Sequence, residues 1–232
     1  MEFNMMKIRN LILVMGVLMS PLAAFAAQVS IAIGTPHVSI GINVPSYPRL
    51  VSVPGHPVYY APGLQANFFF YDGLYWVFHG DNWYASSWYN GPWWFVDPYA
   101  VPVYILRVPV RYYRQPPSYF RAWQPHTPPR WGDHWGRNWE QNRSGWDRRD
   151  RRDAPAPAPL PSYQRQYSRD QYPRQMEQQR EINQERYHYQ RRDPVVQKQY
   201  QERYEKRDQG QQRGRGGDQR QDQRQDRDQK RR

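Results

Sequence analysis

The stretch that decides the fold is Phe68–Val96, FFFYDGLYWVFHGDNWYASSWYNGPWWFV. Four short, aromatic-rich runs stand out in it: Phe68–Tyr71, Leu74–Phe78, Trp83–Tyr89 and Trp93–Val96. Their composition suits a pleated, half-buried surface, and their length suits strands. Three turn signals separate them. Asp72-Gly73 is a two-residue hairpin dipeptide, because both residues accept the positive φ of a type I′ turn. His79-Gly80-Asp81-Asn82 reads as a slightly longer loop, and Asn90-Gly91-Pro92 as another Gly/Asn turn. The reading is mainly β: a small Trp/Tyr-rich antiparallel β-meander of three or four strands. A further extended run, Val101–Val110, is a candidate to pair with it.

A sheet this small depends on its aromatics for a core, so Trp76, Trp83, Trp93 and Phe95 read as packing. A sheet has two faces, however, and strict alternation does not bury every ring. Tyr75, Tyr84, Trp88 and Tyr89 are therefore candidates for an exposed stacking surface that would take sugars, peptides or bases. Beyond the meander, Trp131, Trp135 and Trp139 are spaced four apart, on one stripe of a helix. Pro128 and Pro129 suit its entrance, while Gly132 and Gly136 weaken it. Such a stripe reads as an accessory helix docked on the sheet.

Upstream, residues 1–26 have the order of a secretory signal peptide. Lys7 and Arg9 precede the apolar run Leu11–Met19, Ser20-Pro21 breaks it, and Ala24-Phe25-Ala26 offers a small-residue cleavage site after Ala26. The apolar run is well short of the ~20 residues that span a bilayer. The expected location is therefore outside the cytoplasm, in the periplasm, the outer cell envelope or the medium. Residues 27–62 form an extended, proline-punctuated lead-in. VSIAIG at 29–34 is echoed by VSIGIN at 38–43, both with the period of a strand. Prolines 45, 48, 54, 57 and 62 then favour extended backbone over a central strand.

The order VSIGIN, VPGHPVYYAPG, FFYDGLYWVFHGDNWYASSWYNGPW, RVPVRYYRQPPSYF and a Trp-bearing helix resembles a group of small secreted proteobacterial proteins. They share the YDG–YW, WY and YNGPW elements, over roughly residues 38–146 here. Some of the group carry the label "K+-dependent Na+/Ca2+ exchanger related-protein". An exchanger implies membrane-spanning helices with acidic residues, and this sequence has no such segment. The resemblance implies secretion and a small aromatic domain, and it brings no catalytic residues.

Charge and aromaticity are segregated along the 232 residues. All ten tryptophans lie between Trp76 and Trp146, in a nearly neutral aromatic domain over 63–146. From Arg143 onward there are 24 basic and 15 acidic residues, which carry most of the net +12. Residues 147–161 read as a charged, then Ala/Pro-rich linker ending in APAPAPLP. Residues 162–232 read as a Gln/Arg-rich low-complexity tail, with 19 glutamines and only four aliphatic residues: Met176, Ile182, Val195 and Val196. It cannot build a core of its own, and it is expected to be disordered apart from fluctuating helices over 176–192 and 194–208. Arginine clusters interleaved with Tyr suit polyanions. Arg148, Arg149, Arg151, Arg152, Arg191, Arg192, Arg213, Arg215, Arg231 and Arg232 are the candidate contacts. The matching partners are lipopolysaccharide phosphates, anionic lipid, acidic polysaccharide, an envelope protein or, with less support in an exported chain, nucleic acid.

Catalysis finds little here. The absence of cysteine excludes disulfide scaffolds, thiolate metal sites and thiol nucleophiles. None of the six histidines forms a chelating motif; His126 with Asp133 and His134 comes nearest. Asp72, Asp81 and Asp97 are possible acid/base carboxylates, but each sits at a turn signal where Asp is structurally favoured. No nucleophile-elbow, phosphate-loop or dinucleotide motif occurs. The expectation is a non-catalytic, cofactor-free exported protein. It would attach to an anionic envelope surface or partner through its basic tail, or alternatively bind exopolysaccharide or peptidoglycan through exposed aromatics, or extracellular nucleic acid.

Overall fold

The computed structural model describes residues 41–148 and 154–202. The signal segment, the first VSIAIG repeat, the first half of the second, residues 149–153 and the sequence beyond Glu202 lie outside the described residues. Six strands form one antiparallel sheet in sequential order: β1 (Val51–Ser52), β2 (Tyr59–Tyr60), β3 (Asn67–Tyr71), β4 (Leu74–His79), β5 (Asn82–Ser86) and β6 (Trp94–Val96). The meander is thus as expected, extended by two dipeptide strands. The proline-rich lead-in supplies these, because Val51-Ser52 and Tyr59-Tyr60 are short proline-free gaps whose N–H groups remain free for the ladder.

The turns follow backbone chemistry. Asp72 (φ 48°) and Gly73 (φ 84°) connect Tyr71 directly to Leu74, the two positive φ values required of a type I′ hairpin. The expected longer loop after His79 is instead a second two-residue hairpin. His79 pairs with Asn82, and Gly80 (φ 53°) and Asp81 (φ 67°) make the turn. Asp can take this left-handed conformation, so Gly-Asp substitutes for Asp-Gly.

Register then sorts the rings. Phe69, Trp76, Ala85 and Trp94 form one cross-strand row, joined by Tyr71, Leu74, Phe78, Trp83 and Val96 on the first face. Phe68, Phe70, Tyr75, Val77 and Tyr84 point to the second face.

The first face is covered by residues 97–146. Val101–Val110 does not extend the sheet. Pro102 and Pro109 remove ladder donors, and the residues between them coil into helix α1 (Val103–Leu106), which buries Ile105 and Leu106. The Trp stripe forms two short helices, α2 (Trp131–Trp135) and α3 (Arg137–Asn142), broken at Gly136 (φ 86°). Its docking role holds. Trp131 lies edge-on to Phe78 at 5.2 Å and Trp83 at 6.0 Å, and its Nε1 donates to the Leu106 carbonyl at 3.0 Å. Trp139 Nε1 donates to the Pro98 carbonyl at 3.2 Å.

The second face is covered from both ends of the described chain: by Val44, Tyr47, Leu50, Tyr59, Ala61 and Leu64, and by residues 158–189 of the segment 154–202, whose last stretch returns to the first face through Val196 and Tyr200. That segment does not stand apart as a tail behind a linker. Ala158 is buried in the second core, and Leu160, Tyr172, Tyr187 and Tyr189 pack against it. Helix α4 (Met176–Arg186) and a helix over 194–202 fall where helix-forming composition placed them. The segment around the first of these is held on the sheet by tyrosines, which an inventory of aliphatic residues does not register, whereas the second is anchored in the first core by Val196.

Candidate functional site

The four residues expected to form an open stacking surface occupy one region, but they are buried. Tyr75, Trp88 and Tyr89 are 0% exposed and Tyr84 is 9% exposed. The reason is that the chain itself stacks on them. The Trp88 ring meets Tyr167 at 5.4 Å, Tyr172 at 5.8 Å and Tyr163 at 6.0 Å, all edge-on. Tyr89 lies 5.2 Å from Tyr172 and 5.7 Å from Tyr47. Phe95, expected from sequence to pack, is instead the ring left open beside them, at 50% exposed. As the central residue of edge strand β6 it points to the second face, 6.3 Å from Tyr84.

Two glutamines knit this contact together. Gln164 is fully buried; its Oε1 accepts from Tyr75 OH at 2.9 Å, and its Nε2 donates to the Ser87 carbonyl at 3.0 Å and Tyr163 OH at 3.1 Å. Gln179 Nε2 donates to the carbonyls of Gly91 (3.1 Å) and Pro173 (2.7 Å), and its own carbonyl accepts from Trp88 Nε1 at 3.1 Å. Tyr172 OH donates to the Gly91 carbonyl at 2.6 Å, and Tyr89 OH donates to the Tyr167 carbonyl. Burial holds the phenols of Tyr75, Tyr163 and Tyr172 well above the ordinary tyrosine range. None of these segment residues was identified from sequence. The available signal was Tyr spacing: Tyr163, Tyr167, Tyr172, Tyr187 and Tyr189 recur through a stretch whose only aliphatic side chains are Met176 and Ile182.

A second anchor lies at the β3–β4 turn. Asp72, 3% exposed, accepts from Tyr189 OH (2.7 Å), Arg192 N (3.0 Å to each oxygen) and Asp193 N (2.9 Å). Asp193 accepts in turn from Tyr71 OH at 2.9 Å and from the backbone of Val195 at 2.8 Å, at the start of the 194–202 helix. Asp72 is therefore a turn residue and a clamp. Asp97 likewise accepts from Tyr99 N at 2.8 Å, starting a 3₁₀ turn.

Asp81 does take part in a surface cluster. Tyr119 OH donates to its Oδ1 at 2.5 Å, His134 Nε2 lies 3.0 Å from its Oδ2, and the Tyr119 and His134 rings stack at 4.4 Å. Burial and the Asp81 carboxylate together raise the Tyr119 phenol. The sequence grouping of His126 with Asp133 and His134 is not assembled. His126 Nδ1 instead contacts Arg111 at 2.9 Å, and Asp133 contacts Arg130 at 3.7 Å. No group of three His, Cys, Asp or Glu able to hold a metal occurs among the described residues.

Of the arginines expected to meet polyanions, Arg148 and Arg192 are exposed. Arg191 is withdrawn: its guanidinium lies 3.4 Å from the centre of the Tyr200 ring, and its Nε is buried. Cation–π contact and packing beside the turn glycine Gly73 hold it there. Arg149, Arg151, Arg152, Arg213, Arg215, Arg231 and Arg232 lie outside the described residues. No helix among the described residues is long and apolar enough to cross a membrane. No protein-family model, curated protein or solved structure matches the chain.

Proposed function

We propose that this is a non-catalytic, exported protein of the cell envelope that attaches electrostatically, through arginines, to an anionic surface: lipopolysaccharide phosphates, anionic lipid headgroups or acidic polysaccharide. The observation that supports this reading best is that both aromatic faces are covered by the chain itself, which leaves charged and amide side chains, arginines among them, to meet a partner. Residues 203–232 add eleven Lys and Arg against six Asp and Glu. A Lys or Arg held near an anionic membrane surface contributes about 1 kcal/mol, so several acting together suffice for salt-sensitive attachment. Glycan stacking through Tyr75, Tyr84, Trp88 and Tyr89 is disfavoured, because those rings are not open to a ligand.

The test is a salt-graded wash of the envelope fraction from cells expressing the full chain or a chain ending at Glu202. That end-point leaves the docked segment in place, whereas truncation at Asp153 would strip the second face. The full chain is expected to elute only as salt rises, and the shortened chain at low salt. Retention that ignores salt, or is unchanged by the truncation, would overturn the proposal.

A further inference from the structure

We infer that the second face of the sheet is a receptor groove for a Tyr/Gln-rich polypeptide, that residues 158–193 are its tethered occupant, and that a second copy of this chain can donate the same segment. This stands apart from the envelope reading and concerns the groove alone.

Three observations carry it. First, the segment adds no strand to the ladder: all six strands come from residues 51–96, and the segment is held mostly by side chains, with a backbone bond from Arg169 N to the Pro45 carbonyl at 3.2 Å. Its removal would leave the described strand pairing intact.

Second, the contact has the chemistry of a protein–protein interface. Tyrosine rings meet edge-on, and buried amides and phenols bond to the carbonyls of the 87–91 loop. Recognition surfaces favour Tyr with adaptable polar contacts, whereas domain interiors favour aliphatic packing. The first core, with Val101, Ile105, Leu106 and Val108 among its Trp rings, is of the interior kind.

Third, the tether reaches far enough for exchange. Eleven residues, 147–157 (DRRDRRDAPAP), separate Trp146 in the first core from Ala158 in the second. Extended, they reach about 35 Å, enough to seat the segment on a neighbouring molecule.

A short tether gives the cis segment an effective concentration of order mM. The groove is therefore normally closed, and exchange requires either a weakened cis segment or crowding of chains. The experiment uses a fluorescent peptide spanning residues 154–193 as the probe, at about 10 µM, with a scrambled peptide of equal composition as control. The full chain carrying Gln164→Ala and Gln179→Ala, both in the occupant, is expected to take up the probe about 100-fold more than wild type, the ratio of effective to probe concentration. Adding Trp88→Ala, in the groove, is expected to abolish uptake. Wild-type chains concentrated toward 1 mM are expected to form a dimer that Trp88→Ala prevents. Equal uptake of the scrambled peptide, or no uptake by a double variant that keeps its near-UV circular dichroism, would overturn the inference. So would loss of that signal in the double variant, since segment and sheet would then unfold as one. Hydrogen exchange of wild type gives an independent check: residues 158–193 are expected to exchange at least tenfold faster than β3–β5, and equal rates would overturn it.

Discussion

The two faces of the sheet carry similar numbers of rings but are covered by different means. The first is sealed mainly by a continuous stretch, 97–146, joined by Val196 and Tyr200; its aliphatic residues and tryptophans need few polar contacts beyond indole N–H groups donating to nearby carbonyls. The second is sealed by two distant stretches whose tyrosines and glutamines bring hydroxyls and amides into the interior. Apolar surface is favourable wherever it is buried, so the first face tolerates imprecise partners. A buried amide or phenol is favourable only when bonded, so the second face demands these particular partners. Stability is expected to come mainly from the first face and selectivity from the second.

The largest test of that contrast is Trp131→Ala. Deleting a fully buried indole from the first core costs about 3–5 kcal/mol, and the expected outcome is a lower urea midpoint for the whole fold, followed by tryptophan fluorescence. Loss confined to residues 154–202 would show that the first face is not the main source of stability.

Asp72→Asn addresses the clamp. Asn accepts the positive φ of the turn but offers one acceptor oxygen where the carboxylate serves three donors. A cost of about 1.5–3 kcal/mol is expected. It should appear as faster hydrogen exchange over residues 187–202, with β3–β5 unchanged.

Alkaline pH attacks phenols held neutral by burial. Tyr71 and Tyr75 titrate in the fold well above the ordinary value of 10.0. The unfolded chain thus loses these protons first as pH rises past about 10. Their contribution is fully present below that pH and falls by about 1.4 kcal/mol per tyrosine for each unit above it. Absorbance at 295 nm is expected to show exposed tyrosines ionising near pH 10, and the buried set only together with loss of near-UV dichroism. A single smooth titration of all nineteen tyrosines would refute their burial.

The smallest effect is expected from His134→Gln. The Asp81 partner is half exposed, and such surface pairs contribute less than about 1 kcal/mol. A shift in thermal midpoint of a few degrees at most is expected.

The sequence alone determined the meander, the type I′ turn at Asp72-Gly73, the docking role of the Trp stripe and the positions of the late helices. Each rests on local chemistry: which residues accept positive φ, which side chains alternate, which composition coils. Local chemistry also explains two departures, the tight Gly80-Asp81 turn and the failure of Val101–Val110 to pair between its prolines.

What only the tertiary structure decided is what covers the second face. Tyr75 meets Gln164 across 89 residues and Trp88 meets Gln179 across 91. No periodicity within either stretch signals the other. Tyrosine and glutamine are compatible with solvent and with a core alike, so their composition leaves their location open. Only the unmet need of a second aromatic face, once the sheet exists, brings them inside.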